Sequence, residues 1–120
     1  MANRGTYWLC PNALFDGTAL HQGMALGFSD GRASDFVAVA DLPESAARRD
    51  VQGLVTPGFL DLQVNGGGDV LLNTTPTADG MSAIAAAHRR FGTVGILPTV
   101  ITDRPEVLAE VAKAAFAAKG

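Results

Sequence analysis

Two successive strand-then-helix patterns in the second half of the chain limit its possible folds most strongly. A strand predicted over residues 59–65 precedes a helix over residues 77–91, and a strand over residues 94–101 precedes a helix over residues 103–119. Equivalent points of the two strands lie about 35 residues apart, the usual size of a βαβ unit. Because a crossover helix is how parallel strands are joined, this order predicts the start of a parallel α/β sheet.

Local signals mark the ends of both helices. Thr75 or Thr77 suits the N-cap of the first helix, and Gly92 suits its C-terminal end. Asp103 is expected to cap the second helix, with Glu106 completing a capping box. Helical spacing predicts one buried face on each helix. On the first helix it consists of Met81, Ile84, Ala85, His88 and Phe91. On the second it consists of Val107, Leu108, Val111 and Ala115.

The first half of the chain has short β-type runs separated by turn signals, beginning at residues 6–9. Ser29-Asp30-Gly31-Arg32 lies between two such runs and predicts a hairpin. Residues 41–52 have no clear pattern and are interpreted as a connecting loop. We therefore expect a small antiparallel β unit over residues 1–54, marginal as a fold by itself because it holds few large apolar residues.

Composition excludes several classes of protein. Apolar residues make up 48% of the chain and charged residues 18%, which is typical of a packed soluble protein. The net charge of −3 argues against nucleic acid or acidic membranes as partners. Cys10 is the single cysteine, so no internal disulfide can form and a reducing compartment is expected. The N-terminus has no apolar signal region, and no run approaches the ~20 apolar residues of a membrane span, so we expect a cytoplasmic protein.

The strand over residues 59–65 carries the most information about function. Alternation gives the strand two different faces. The apolar face, suited to packing against helices, consists of Leu60, Leu62 and Val64. The more polar face consists of Phe59, Asp61, Gln63 and Asn65. Burying such polar groups without partners costs about 1–3 kcal/mol each. They could line the active-site mouth of a (β/α)₈ barrel, with Gln63 and Asn65 at the opening and Asp61 deeper. A purely structural hydrogen-bond network is the alternative that the pattern leaves equally open.

Other candidate residues favour structural roles. The glycine run at residues 66–68 is either a flexible linker or a loop that passes close to a ligand, and it lacks the spacing of a phosphate-binding fingerprint. His21 is expected to face solvent in a polar loop, and His88 to be packed and hydrogen-bonded on its helix. Since a catalytic zinc site needs three protein ligands, these histidines and Cys10 give no basis for assigning a metal ligand.

Residues 55–68, VTPGFLDLQVNGGG, resemble the segment that leads into the barrel of amidohydrolases. That superfamily usually ends its first barrel strand with His-x-His, two metal ligands. Here the pair is Gln63-x-Asn65, which is similar to the branch formed by the N-acetylglucosamine-6-phosphate deacetylases. Residues 91–103, with Pro98, resemble the second strand of that family and the turn after it. The first half resembles the family's small β domain.

The resemblance implies a fold with two parts. These are the small antiparallel β unit of residues 1–54 and, over residues 55–120, the first two βα units of a truncated (β/α)₈ amidohydrolase barrel. It implies an enzyme that deacetylates N-acetylglucosamine 6-phosphate to glucosamine 6-phosphate and acetate. One divalent metal, zinc or similar, would activate water, and an aspartate would move the proton to the amine.

The family's metal ligands and catalytic aspartate correspond to positions beyond Gly120. No catalytic residue or metal ligand is therefore expected in this chain, and the chain alone is expected to be inactive. Gln63, Asn65 and Asp61 are the candidates for lining the active site. The implied partner is an amino-sugar phosphate. A homodimer is expected on separate grounds, because an open strand edge and uncovered apolar helix faces favour self-association. A non-catalytic sugar-binding or interaction module, or another amidohydrolase such as a dihydroorotase-like enzyme, remains an alternative.

Overall fold

The computed structural model describes residues 7–118 and divides into two compact units with a boundary between Pro57 and Gly58. Residue 6 of the first predicted strand and residue 119 of the last predicted helix lie outside the described residues. The first unit contains β1 (Tyr7–Phe15), β2 (Leu20–His21), β3 (Met24–Ser29), β4 (Arg32–Ala38), a 3₁₀ turn (Val39–Asp41) and β5 (Arg48–Val55). β1 pairs with β2, β3 and β5, and β3 pairs with β4.

The predicted hairpin is confirmed as the β3–β4 pair. Its two turn residues, Asp30 and Gly31, have φ angles of 53° and 78°. Two-residue turns with positive φ at both positions match the right-handed twist of the flanking strands, which explains the Asp-Gly pair. The antiparallel register runs from Ser29 opposite Arg32 to Met24 opposite Ala38.

The interpretation of residues 41–52 as a loop was wrong, because β5 occupies Arg48–Val55 and pairs with β1 in parallel. The first unit is therefore a mixed sheet and not the antiparallel unit that was predicted. β5 has no apolar alternation because most of its side chains are exposed. Backbone hydrogen bonds to a strand distant in sequence hold it in place, and composition does not encode such pairing.

The second unit contains β6 (Phe59–Val64), β7 (Gly66–Gly67), β8 (Val70–Leu71), α1 (Ala78–Arg89), β9 (Thr93–Pro98) and α2 (Pro105–Ala118). β6 and β9 are parallel, with Phe59 opposite Thr93 and Val64 opposite Pro98. The two predicted strand–helix units are thus confirmed. β7 and β8 form a short antiparallel hairpin between β6 and α1. No helix in the described part of the chain is long and apolar enough to cross a membrane.

The ends of α1 agree with the sequence signals. Thr77 is the N-cap, and its hydroxyl accepts a hydrogen bond of 3.0 Å from the Gly80 N–H. Gly92 follows the helix with a φ of 94°, a left-handed conformation that favours glycine.

The predicted capping box of α2 was wrong. The first helical hydrogen bonds are accepted by the carbonyl of Arg104, from the N–H groups of Val107 and Leu108. Asp103 therefore lies one residue too early to cap the helix. Its carboxylate instead accepts hydrogen bonds from the Arg104 N–H and from the side chain of Asn73.

The core of the second unit joins both helices to the end of the sheet. Leu72 and Ile84 are fully buried, and around them lie Val64, Met81, Val111 and Ala114.

Five residues that were predicted to be buried are exposed. Phe91 is 71% exposed because it lies past the end of α1, and on α2 Leu108 and Ala115 are exposed while Ala114 is buried. Leu60 and Leu62 are each 70% exposed, because α1 contacts β7, β8 and β9 and leaves this part of β6 uncovered within the described residues.

Candidate functional site

Asn65 lies at the carboxyl end of β6 and is tied to the end of β9. Its half-buried side-chain amide donates to the carbonyl oxygen of Thr99 at 3.0 Å and to the Thr99 hydroxyl oxygen at 2.9 Å. The Thr99 N–H in turn donates to the carbonyl oxygen of Val64 at 2.8 Å. Asn65 therefore links the carboxyl ends of β6 and β9 by hydrogen bonds. This is the edge at which parallel α/β sheets present ligand-binding groups.

Asp61 and Gln63 are less constrained. Asp61 is half-buried, and its carboxylate accepts a hydrogen bond of 3.2 Å from the Gln63 N–H. The Gln63 side chain is exposed. The structure thus joins Asn65 to β9 and leaves Gln63 available for other contacts.

Asn73, which follows the buried Leu72, is a further residue of this edge that the sequence analysis missed. Its side-chain amide donates to the carbonyl oxygen of Ile101 and to the carboxylate of Asp103, both at 2.9 Å, and its carbonyl oxygen accepts from the Ile101 N–H at 3.0 Å. A single asparagine in a polar Asn-Thr-Thr run has no spacing signal, so only the folded chain identifies it.

The carboxyl group of Asp103, at this edge, has a lowered pKa. The hydrogen bond from the Asn73 amide, followed by that from the Arg104 N–H, holds the pKa of the Asp103 carboxyl below its usual value. Both donors stabilise the charged form. Asp103 therefore adds a negative charge beside the end of β9.

The glycine run after Asn65 forms a packed hairpin and is not a flexible linker. Its turn residues, Gly68 and Asp69, have φ angles of 60° and 63°. A Cβ atom on Gly67 would lie 2.7 Å from Nε2 of His88 on α1. That nitrogen lies 3.0 Å from the carbonyl oxygen of Gly66, so the prediction of a packed, hydrogen-bonded His88 is confirmed.

His21 differs from its prediction as a solvent-facing loop residue. It lies in β2, is half-buried, and its Nε2 is 2.8 Å from the carboxylate of Asp16. Its ring meets the edge of Phe36 at a centroid distance of 5.0 Å. Hydrogen bonds from the Ala19 N–H, from His21 and from the Thr18 N–H lower the pKa of Asp16 to about 2. This pair closes the β1–β2 turn.

Residues 7–118 contain no group of three or more His, Cys, Asp or Glu side chains that could hold a metal ion. Side-chain amides such as those of Gln63 and Asn65 are weak ligands for zinc compared with His or Cys. The described residues therefore do not fit a catalytic metal by themselves.

Comparisons of sequence found similar curated proteins, although no family model matches the chain. Over 66 residues it is 47% identical to an N-acetylgalactosamine-6-phosphate deacetylase of Shewanella, a match that covers 55% of this chain and 17% of the relative. Over 68 residues it is 40% identical to the human N-acetylglucosamine-6-phosphate deacetylase, with 53% and 16% covered. The matched region thus spans about a sixth of the length of these relatives.

Solved structures are similar over nearly the whole chain. The N-acetylglucosamine-6-phosphate deacetylase of Pasteurella multocida has a TM-score of 0.84 at 28% identity, covering 95% of this chain and 30% of that one. The enzyme of Mycobacterium smegmatis has a TM-score of 0.76 at 26% identity, with 92% and 32% covered. Guanine deaminase of Escherichia coli, at 16% identity and a TM-score of 0.55, shares the fold alone, with 95% and 34% covered. The resemblance predicted from the sequence is therefore confirmed: in sequence and in fold, the chain is similar to part of the N-acetylglucosamine-6-phosphate deacetylases.

Proposed function

We propose that this chain forms the N-terminal part of a deacetylase that hydrolyses the acetamide of N-acetylglucosamine 6-phosphate. Water would add to the amide carbonyl and the C–N bond would break, which releases acetate and leaves glucosamine 6-phosphate. The observation that carries the proposal is the likeness of 95% of the chain to the Pasteurella enzyme at a TM-score of 0.84. The identity of 40% with the human deacetylase supports it independently.

In this proposal β6 and β9 are the first two strands of a (β/α)₈ barrel, and their carboxyl ends face the reaction. Gln63 and Asn65 then stand near the scissile amide. There the side-chain N–H groups of Gln63 can donate hydrogen bonds to substrate oxygens, and the side-chain carbonyl oxygen of Asn65, whose two N–H groups are donated to Thr99, can accept one from the attacking water. Asp61 lies deeper along the same face. Because Thr99 holds Asn65, its amide keeps one orientation during the reaction, and such preorganisation lowers the barrier.

A divalent metal belongs to the reaction that the family resemblance implies. When bound, such an ion would activate the attacking water. Since the described residues do not fit a metal site, its ligands would be supplied outside residues 7–118. The chain's own contribution is the hydrogen bonding and orientation described above.

A second candidate substrate is N-acetylgalactosamine 6-phosphate. The relative with 47% identity carries the name of a deacetylase for that sugar. The two substrates differ only in configuration at C4, so the amide chemistry is the same for both. Discrimination would depend on a contact to the C4 hydroxyl.

The proposal is tested with the complete product of the reading frame that contains this chain. We expect it to release acetate from at least one of the two N-acetylhexosamine 6-phosphates, and the 120-residue chain alone to release none. A complete product that hydrolyses neither sugar would refute the proposal. Turnover by the purified 120-residue chain would refute the placement of the catalytic residues outside it.

Two further measurements separate the alternative functions. Calorimetric titration of the 120-residue chain with glucosamine 6-phosphate should give no binding, whereas a sugar-binding module would bind unaided. Hydrolysis of dihydroorotate in place of the sugar phosphates would favour a dihydroorotase-like enzyme.

A further inference from the structure

The segment after β9, residues 99–103, is held mainly by side chains, beyond one backbone hydrogen bond from the Thr99 N–H to the Val64 carbonyl oxygen. β9 ends at Pro98, which has no N–H to donate to a neighbouring strand. Beyond it, Asn65 donates to both oxygens of Thr99, and Asn73 pairs with both backbone polar groups of Ile101. Two asparagine side chains thus supply hydrogen bonds to Thr99 and Ile101 that a neighbouring strand would otherwise make.

Asn73 holds this segment at two points. Its carboxamide donates to the Ile101 carbonyl oxygen and accepts from the Ile101 N–H, as a paired strand residue would. The same amide also donates to the Asp103 carboxylate at 2.9 Å. Asn73 and its partners are 28 and 30 residues apart in sequence, so these bonds join separate parts of the unit.

We infer that Asn73 is a positioning residue of the proposed deacetylase, an inference that rests on that proposed function. Asn73 fixes residues 99–103, and Thr99 in this segment accepts both side-chain hydrogen bonds of Asn65. Without Asn73 the segment shifts, Thr99 moves with it, and the Asn65 amide loses its orientation toward the reacting amide. Asn73 thus acts on the reaction through Asn65 and makes no contact with the substrate itself.

The position of the Asn73 hydrogen bonds distinguishes this role from stabilisation of α2. Asn73 bonds to Ile101 and Asp103, which precede the helix, and the first helical bonds run from Val107 and Leu108 to Arg104. These first hydrogen bonds of α2 therefore form without Asn73. Loss of Asn73 should consequently alter the geometry at the end of β9 more than the stability of the unit.

The test uses the complete deacetylase with Asn73→Ala, Asn73→Asp and the double variant Asn73→Asp/Asp103→Asn. Asn73→Ala should lower kcat about tenfold to a hundredfold, the size expected when a reacting group is misplaced. KM should stay within about twofold, because an orientation needed in the transition state is what is lost. Asn73→Asp should lower kcat as well, since a carboxylate cannot donate to Asp103. In the double variant donor and acceptor exchange places, and kcat should recover in part.

Asn12→Ala is the matched control, because Asn12 also holds a backbone group, the Gly53 N–H at 2.7 Å, but belongs to the first unit. It should leave kcat unchanged. Hydrogen exchange on the 120-residue chain provides a readout independent of activity: the Ile101 amide should exchange faster in Asn73→Ala. An active enzyme whose kcat is unaffected by Asn73→Ala would overturn this inference and leave the proposed function intact. An inactive wild-type product would refute the proposed function and this inference with it.

Discussion

Asn65 and Thr99, 34 residues apart in sequence, are joined by two hydrogen bonds from the asparagine amide, to the backbone carbonyl and to the hydroxyl oxygen of the threonine. The bonds lie where the parallel strands β6 and β9 end. Asn65 is half-buried, so its amide would be partly removed from water without a partner. The pair therefore stabilises the same edge of the sheet that we propose as part of the active site.

Replacing Asn65 should destabilise the second unit. Asn65→Ala removes two hydrogen bonds and leaves the Thr99 oxygens with fewer donors, so we expect the free energy of unfolding to fall by about 1–3 kcal/mol. Urea denaturation of the 120-residue chain measures it. Gln63→Ala on the same strand is the control, with an expected change within about 0.5 kcal/mol because Gln63 is exposed. Equal effects of the two substitutions would contradict the assigned role of Asn65.

The close approach of the glycine hairpin to α1 predicts a coupled pair. Gly67→Ala places a Cβ atom 2.7 Å from Nε2 of His88, so we expect a loss of about 1–3 kcal/mol from overpacking. His88→Ala removes the obstacle and also the contact with the Gly66 carbonyl. The double variant should therefore lose less stability than the sum of the two single losses. A double-mutant cycle by denaturant unfolding checks this, and strict additivity would contradict the packing.

The pKa of Asp16, lowered to about 2, predicts a pH dependence for the first unit. In the unfolded chain the carboxyl titrates near pH 4, so between about pH 4 and pH 2 the unfolded state binds more protons. The contribution of Asp16 to stability is present above this range and is lost as pH falls through it. An NMR titration of the carboxyl carbon should give a pKa near 2 in the wild type and a higher value in His21→Ala. An unchanged value in His21→Ala would show that the Asp16–His21 hydrogen bond does not persist in solution.

Exposed apolar side chains on β6 predict self-association of the isolated chain, and we propose a homodimer. Leu60 and Leu62 are each 70% exposed, beside a strand edge that is unpaired among residues 7–118. Such edges and patches favour association. Light scattering at micromolar concentration should give a mass above that of the monomer, and Leu62→Lys should lower it. Leu20→Lys, at a leucine that is 61% exposed in the first unit, is the control. A monomeric wild-type chain would refute the expectation.

Patterns that involve near neighbours in sequence predicted much of the fold. The Asp30-Gly31 turn, the Thr77 cap and the Gly92 end each depend on conformations that one or two residues favour locally. The spacing of apolar residues placed both strand–helix units of the second half. For the site, alternation put Asn65 on the polar face of its strand, and the VTPGFLDLQVNGGG segment indicated the deacetylase resemblance.

What the sequence alone determined, then, is the local conformation and the order of elements, because these follow from backbone preferences and from the period of apolar side chains. Tertiary structure decided the pairing of β5 with β1, the contact of His21 with Asp16 and the hydrogen bonds of Asn73 to residues 101 and 103. Each of these depends on polar or backbone groups that are distant in sequence. Such groups can bond to many partners, so their choice is made only when the packed elements bring one partner within reach.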